Sequence, residues 1–218
     1  MNRLILKYAY PVTAVILAIF AWVVYSRISR GWSEVVPLAV AAVIVWALGA
    51  PAFLYLWPRI TVYGFKRAIV KRGFSGGPIP VNTLYAEPGI SSASASTGSV
   101  MGTGTDDVLY VAGWLDLKNG PQVLHTPDTD GRYYSVQLTD PATSANFAYV
   151  GKRVTGTRAG DYLLSGPHWQ GTVPTGMTQI PSPHDSVLVI GRVFVDGASD
   201  QPTAYALAQQ IQVAALNP

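Results

Sequence analysis

The chain contains no cysteine. Disulfide frameworks, thiolate metal ligands and cysteine nucleophiles are therefore excluded, although the compartment stays open. Charge is also scarce. Asp, Glu, Lys and Arg make up 12% of the 218 residues, while 49% is hydrophobic. That is about half the charge of a typical soluble domain, and it points to membrane segments. The three histidines, His125, His168 and His184, stand singly. None shows the H-x-H or H-x-x-x-H spacing that metal sites favour. The expectation is no metal and no cofactor.

What charge there is divides unevenly. Residues 1–72 hold nine Lys/Arg and one acid, Glu34; residues 73–218 hold six Lys/Arg and eleven acids. The basic charges flank apolar runs and do not pave a face, so a lipid bilayer is the expected partner and nucleic acid is not.

Tyr8–Tyr25 and Val35–Trp57 carry no charge. As helices they measure roughly 27 and 35 Å, against a hydrocarbon core of about 30 Å. Trp22, Tyr25, Trp32, Tyr55 and Trp57 stand near their ends, where amphipathic rings prefer the interface. The linker SRISRGWSE is short. The expectation is a two-pass transmembrane hairpin in residues 1–60, with helices at about 8–25 and 35–57. A cleaved signal peptide is the competing reading of the first run, but no small-x-small site follows before Arg27. Both outer flanks are more basic than the hairpin loop, so the positive-inside rule favours both termini in the cytoplasm.

Residues 61–105 read as a basic juxtamembrane segment and a linker. TVYGFKRAIVKRGF is either an interfacial helix or a solvated tether. ISSASASTGSVMGTGT (90–105) is Ser/Gly-rich, as flexible connections are. GFSGG (73–77) matches the nucleophile-elbow pattern, but Pro78 and Pro80 forbid the helix that must follow, so Ser75 is not a nucleophile. GTG at 102–104 lacks the third glycine of a dinucleotide site.

From Asp106 the pattern turns to short strands: DVLYVAGWLDL, QVLHT, RYYSVQLT, NFAYVGKRV, DYLLS, GMTQI and SVLVIGRVFVD. Turn chemistry separates them. Residues 106–218 are therefore mainly β, an antiparallel sandwich or barrel. SDQPTAYALAQQIQVAAL carries a helix-start signal and good helix formers, so a C-terminal helix should close it.

Alternation sorts the strand faces. Tyr134, Val136 and Leu138 share one side of their strand, with Arg132 on that side at its end. The strand around Arg192 is apolar on both faces, which marks it as central and Arg192 as partly buried. A buried guanidinium without a partner costs several kcal/mol, so carboxylates should lie nearby. Asp116, Asp128, Asp140 and Asp196 are the candidates. Such a cluster either binds an anion or polarises a carbonyl at a sandwich mouth, or it ties strands together.

DDVLYVAGWLDL, GPQVLHTPDTDGRYY, FAYVGKRVTGTRAGDYLLSGPHW, PTGMTQIPSPHDSVLVIGRVFVDG and ALAQQ together resemble the uncharacterised family domain of unknown function 1254, over residues 106–218. The resemblance implies a jelly-roll-like β-sandwich and no established activity. It marks Asp116, Asp128, Arg132, Tyr133, Tyr134, Arg153, Trp169 and Arg192 as retained family positions. Val108 stands where relatives usually carry threonine. Many relatives are exported, which opposes the charge rule, so the side of the membrane that carries the β domain is open. Many also carry a second uncharacterised domain, numbered 1214. This chain stops where that domain begins, which implies docking to a separate partner protein.

Two functions are expected. One is a membrane-anchored binding or assembly subunit, with Asp128, Arg132, Tyr133, Tyr134, Arg153, Trp169 and Arg192 as its binding residues. The other is a hydrolase on a small or lipophilic substrate, with Asp107 or Asp116 as base and Arg132 or Arg192 as electrostatic stabiliser. A transport role is weak, because the apolar runs hold no charge to line a path.

Overall fold

The computed structural model describes residues 22, 25, 26, 32–73, 77–90 and 105–216. The chain divides into two compact units, Met1–Ile60 and Thr61–Pro218. Of the first apolar run, Trp22 and Tyr25 are helical, and the rest lies outside the described residues. The pairing of two helices into a hairpin therefore rests on the sequence alone.

Helix α1 spans Trp32–Arg72. Val36–Arg72 is long and apolar enough to cross a membrane, and none of its most apolar window is buried within the protein. Val45, Trp46, Leu48 and Leu54 are all more than two-thirds exposed. A helix that is apolar all round suits lipid or a helix bundle. Pro37, Pro51 and Pro58 interrupt its hydrogen-bond ladder, as prolines in membrane helices do. The helix stops at Gly73, whose φ of +67° allows its N–H to close back on Ala68 O and Ile69 O.

The second unit holds two sheets. Strands β1 (Tyr85–Ala86), β2 (Val108–Asp116), β8 (Ser186–Phe194), β4 (Tyr134–Asp140) and β5 (Ala145–Gly151) form the first, in that spatial order. Strands β7 (Thr178–Pro181), β6 (Gly160–Ser165), β3 (Gln122–Thr126) and β9 (Gln212–Ala215) form the second. All pairings are antiparallel except β6 with β7. Between the sheets lie Leu109, Val111, Leu115, Leu124, Val136, Leu164 and Val189. Helix α2 (Gln201–Ala208) adds Ala204 and Ala208 to that core.

All seven expected strands form. Two further strands were not expected. Tyr85–Ala86 pairs with β2 upstream of residue 106. Gln212–Ala215 pairs with β3 where the closing helix was expected to continue. Helix α2 ends at Ala208 because the chain turns at Gln209–Gln210 and buries Ile211, which delivers Gln212 to the free edge of β3.

β8 is the central strand of its sheet, as its two apolar faces imply. Val187, Val189 and Val193 enter the core between the sheets. On its other face, Leu188 and Ile190 pack with Trp114, Ile69 and Ile79, and with Val62 and Phe65 of α1. Residues 61–72 are therefore not a free tether: Val62, Phe65 and Ile69 pack on the outer face of the five-stranded sheet. Lys66 sits 5.6 Å from the Trp114 ring, whose Nε1 donates to Ser186 Oγ at 2.7 Å.

Candidate functional site

The three arginines of interest separate into two environments. Arg132, just before β4, reaches toward the start of α2. Its Nη1 donates to Phe194 O at 2.8 Å and to Asp200 Oδ2, and its Nη2 donates to Asp200 Oδ1 at 2.6 Å. Asp200 Oδ2 also accepts from the Asp196 N–H. The hydrogen bonds that Arg132 donates to Asp200, and the negative charge of that carboxylate, raise the Arg132 pKa against the opposing effect of burial. The same bond and that from the Asp196 backbone pull Asp200 down to about 2. The partner is thus Asp200 and not Asp116, Asp128, Asp140 or Asp196.

Those other aspartates have local tasks. Asp128 Oδ1 accepts from the Asp130 N–H and Asp116 Oδ1 from the Lys118 N–H. Asp140 is buried and accepts from the Ala142 N–H, the Thr143 hydroxyl and His184 Nδ1. Burial acts to raise its pKa, but these hydrogen bonds outweigh burial and hold it below the usual carboxylate range. Asp196 is exposed beside Arg132.

Arg192 and Arg153 meet elsewhere. Arg192 lies on the outer face of β8, in register with Tyr110 on β2 and Ser135 on β4. Arg153 projects from the turn after β5. Both line a recess of about 350 Å³ with Tyr133, Ser135, Tyr149 and Gly151. Each guanidinium rests on a tyrosine ring, Arg153 at 5.4 Å from Tyr133 and Arg192 at 5.6 Å from Tyr110. Such contacts engage the guanidinium face and leave most N–H donors free. Arg192 Nη1 has one long bond, 3.4 Å, to Gln137 Oε1. Among the described residues neither arginine forms an ion pair. In the row of Arg192 the acid on β1's side is Glu87, whose N–H bonds Tyr110 O. Its backbone is two strands away, roughly 10 Å.

A polar network fixes one wall of the recess. Gln137 Nε2 donates to Asn146 Oδ1 at 2.9 Å and to Thr139 Oγ1 at 3.1 Å. Asn146 Nδ2 donates to the Tyr149 hydroxyl at 2.8 Å. The Tyr149 ring, 42% exposed, is thereby held in place over open surface.

The remaining expected site residues scatter. Tyr134 is fully buried between the sheets, its hydroxyl donating to Thr126 Oγ1. Trp169 lies in the β6–β7 connection, against Gly171. Asp107 and Asp116 stand at opposite ends of β2, roughly 30 Å apart. Arg132 is at the Asp107 end, because its Phe194 contact pairs with Val108. Asp116 and Arg132 therefore do not share a site. A larger groove of about 600 Å³ runs beside Arg132, but Asp128, Asp130 and Asp196 supply its other charges, and three of the five Arg132 donors are already taken by Phe194 O and Asp200. Among the described residues no three His, Asp or Glu side chains gather to hold a metal.

The family model described as "Protein of unknown function (DUF1254)" matches residues 81–215. No curated protein matches the chain. Among solved structures, the VPA0106 protein from Vibrio parahaemolyticus is similar at 23% identity with a TM-score of 0.59, over 75% of this chain and 37% of that one. This chain therefore spans little more than a third of that protein's length, and the likeness is one of fold. A putative uncharacterised protein from Burkholderia cenocepacia aligns at 18% identity over 52% of this chain and 31% of that chain, with a TM-score of 0.36.

Proposed function

We propose, from the premise that this chain belongs to the DUF1254 family, that it is a membrane-anchored binding subunit. Two spans, Tyr8–Tyr25 and Val35–Trp57, moor a jelly-roll-like sandwich. The outer face of its five-stranded sheet offers the Arg153–Arg192 recess to an anionic ligand or to an acidic surface of a separate partner protein.

The observation that carries this reading is Arg192: a half-buried guanidinium, without an ion pair among the described residues, on the wall of a concave recess. Burying a cation without a counter-charge is costly. An arriving anion relieves that cost and gains charge-assisted hydrogen bonds. The wholly exposed apolar window of α1 supports the membrane anchor.

The hydrolase alternative gains nothing from this arrangement. Asp116 is a strand's length from Arg132, and the Arg132 fork is filled by Asp200. The recess itself brings cations and rings together without a carboxylate base.

The test is purification of the full chain from membranes in mild detergent, with wild type beside Arg153→Gln. A ligand or partner that stays with wild type and is lost from the variant supports a binding subunit working through the recess. Repeated recovery of the lone, unliganded chain counts against it.

A further inference from the structure

The recess does not stand alone on its face of the sheet. Ile190, two residues before Arg192 on the same side of β8, belongs to the apolar cluster in which the docked segment of α1 buries Ile69. The recess and the docked segment therefore share one face of the sheet. The docked segment brings Lys66 over Trp114 on that outer face. Arg67 and Lys71 lie on its other side and Arg72 at its end, all exposed. Upstream the same helix is the apolar span, and only twelve residues separate Trp57 from Ile69. That is roughly 18 Å of helix. The segment that follows the apolar run in the chain is thus the one whose Val62, Phe65 and Ile69 pack on the sheet face that holds the recess.

Resting on the reading of the recess as a binding site, we infer that its ligand is a phosphate oxyanion carried on an anionic phospholipid headgroup. The chemistry of the walls fits. The free donors are guanidinium N–H groups, which match phosphate oxygens in pairs. The Tyr133 and Tyr149 rings and the stem of Val154 flank them, giving an apolar rim for a glycerol backbone. The volume, about 350 Å³, exceeds what a bare phosphate fills and suits a headgroup with part of its backbone. The exposed cations of α1 draw the same lipids to the surface. A soluble phosphate ester presents the same oxyanion, so the source of the phosphate is what the experiment must separate.

Full-length protein in detergent micelles is offered phosphatidylglycerol, phosphatidylcholine or sn-glycerol 3-phosphate, and native mass spectrometry follows what is retained. The expected result is that phosphatidylglycerol is retained in preference to phosphatidylcholine. Arg192→Met should weaken that retention about 10- to 100-fold, the loss that goes with a charge-assisted hydrogen bond, without a matching change in melting temperature. Arg153→Gln, at an exposed turn, should shift it in the same direction and carries the comparison should Arg192→Met fold poorly. Equal retention by wild type and both variants, or equal retention of the two lipids, overturns the inference. Arg192-dependent binding of sn-glycerol 3-phosphate without lipid retention overturns the lipid assignment but leaves the recess a binding site. Binding of neither overturns both.

Discussion

The Arg132 guanidinium and the Asp200 carboxylate meet fork to fork across 68 residues of chain. The pair clamps the entry of β4 to the start of α2, and through Phe194 O to the end of β8. Both side chains are only 18% exposed. Arg132 therefore acts as a structural staple, while Arg192 and Arg153 keep donors to spare.

The staple should show in acid. Asp200 lies near 2 when folded, against about 3.9 for an unperturbed aspartate. A depressed carboxylate adds stability above its unfolded pKa and loses it as pH falls toward the folded value. Melting temperature measured from about pH 5 to about pH 2 should drop for wild type, and Asp200→Asn should flatten part of that drop. Arg132→Met should remove the same part. If Asp200→Asn leaves the acid slope unchanged, the slope arises elsewhere.

Asp140 is a second acid-sensitive point, at the turn into β5. It is 1% exposed and accepts bonds from three groups. Asp140→Asn should cost about 1–3 kcal/mol at neutral pH, measured by urea unfolding. Its depressed pKa gives the same sign as Asp200: the contribution is present at neutral pH and fades as acid protonates the carboxylate. A neutral outcome would mean that the β4–β5 turn holds without it.

The docked end of α1 makes a separate prediction. Ile69 is fully buried under Trp114 and Leu188. Ile69→Ala should destabilise the sandwich by about 2–5 kcal/mol, whereas Lys71→Ala, on the exposed side, should change little. Equal, small effects from both would show that the segment is only loosely attached.

Much of this architecture is legible in the sequence. Strands such as Gln122–Thr126 and Ser186–Phe194 announce themselves by alternation or by continuous β-branched runs between turns. Tyr85–Ala86 does not, because two residues carry no period. Gln212–Ala215 reads as helix because Gln and Ala are good helix formers, and only the free edge of β3 makes it a strand. Asp200 reads as a helix-start residue, which it is, but its carboxylate serves Arg132 and makes no cap bond. The site was harder still. Alternation assigns Arg192 to an apolar face, and an apolar face is normally the core. Here that apolar face is the outer one, where Leu188 and Ile190 pack in the cluster with Ile69 of α1, and Arg192 shares that face. Gln137, Asn146 and Tyr149 gave no signal, since their network exists only across the β4–β5 register.

The absence of cysteine offers a clean test of the two-pass anchor. Single cysteines introduced at Asn2 and at Asp196 should react with a membrane-impermeant maleimide from the same side of sealed vesicles. Labelling from opposite sides would mean that the chain crosses once.

The central claim is that Arg192 and Arg153 await an anion while Arg132 does not. The most direct measurement is NMR of the arginine Nε–H signals in the full-length protein during titration with inorganic phosphate. The account predicts saturable shifts for Arg192 and Arg153 and a stationary Arg132. An unmoved Arg192, or a common unsaturable drift of all three, would contradict it.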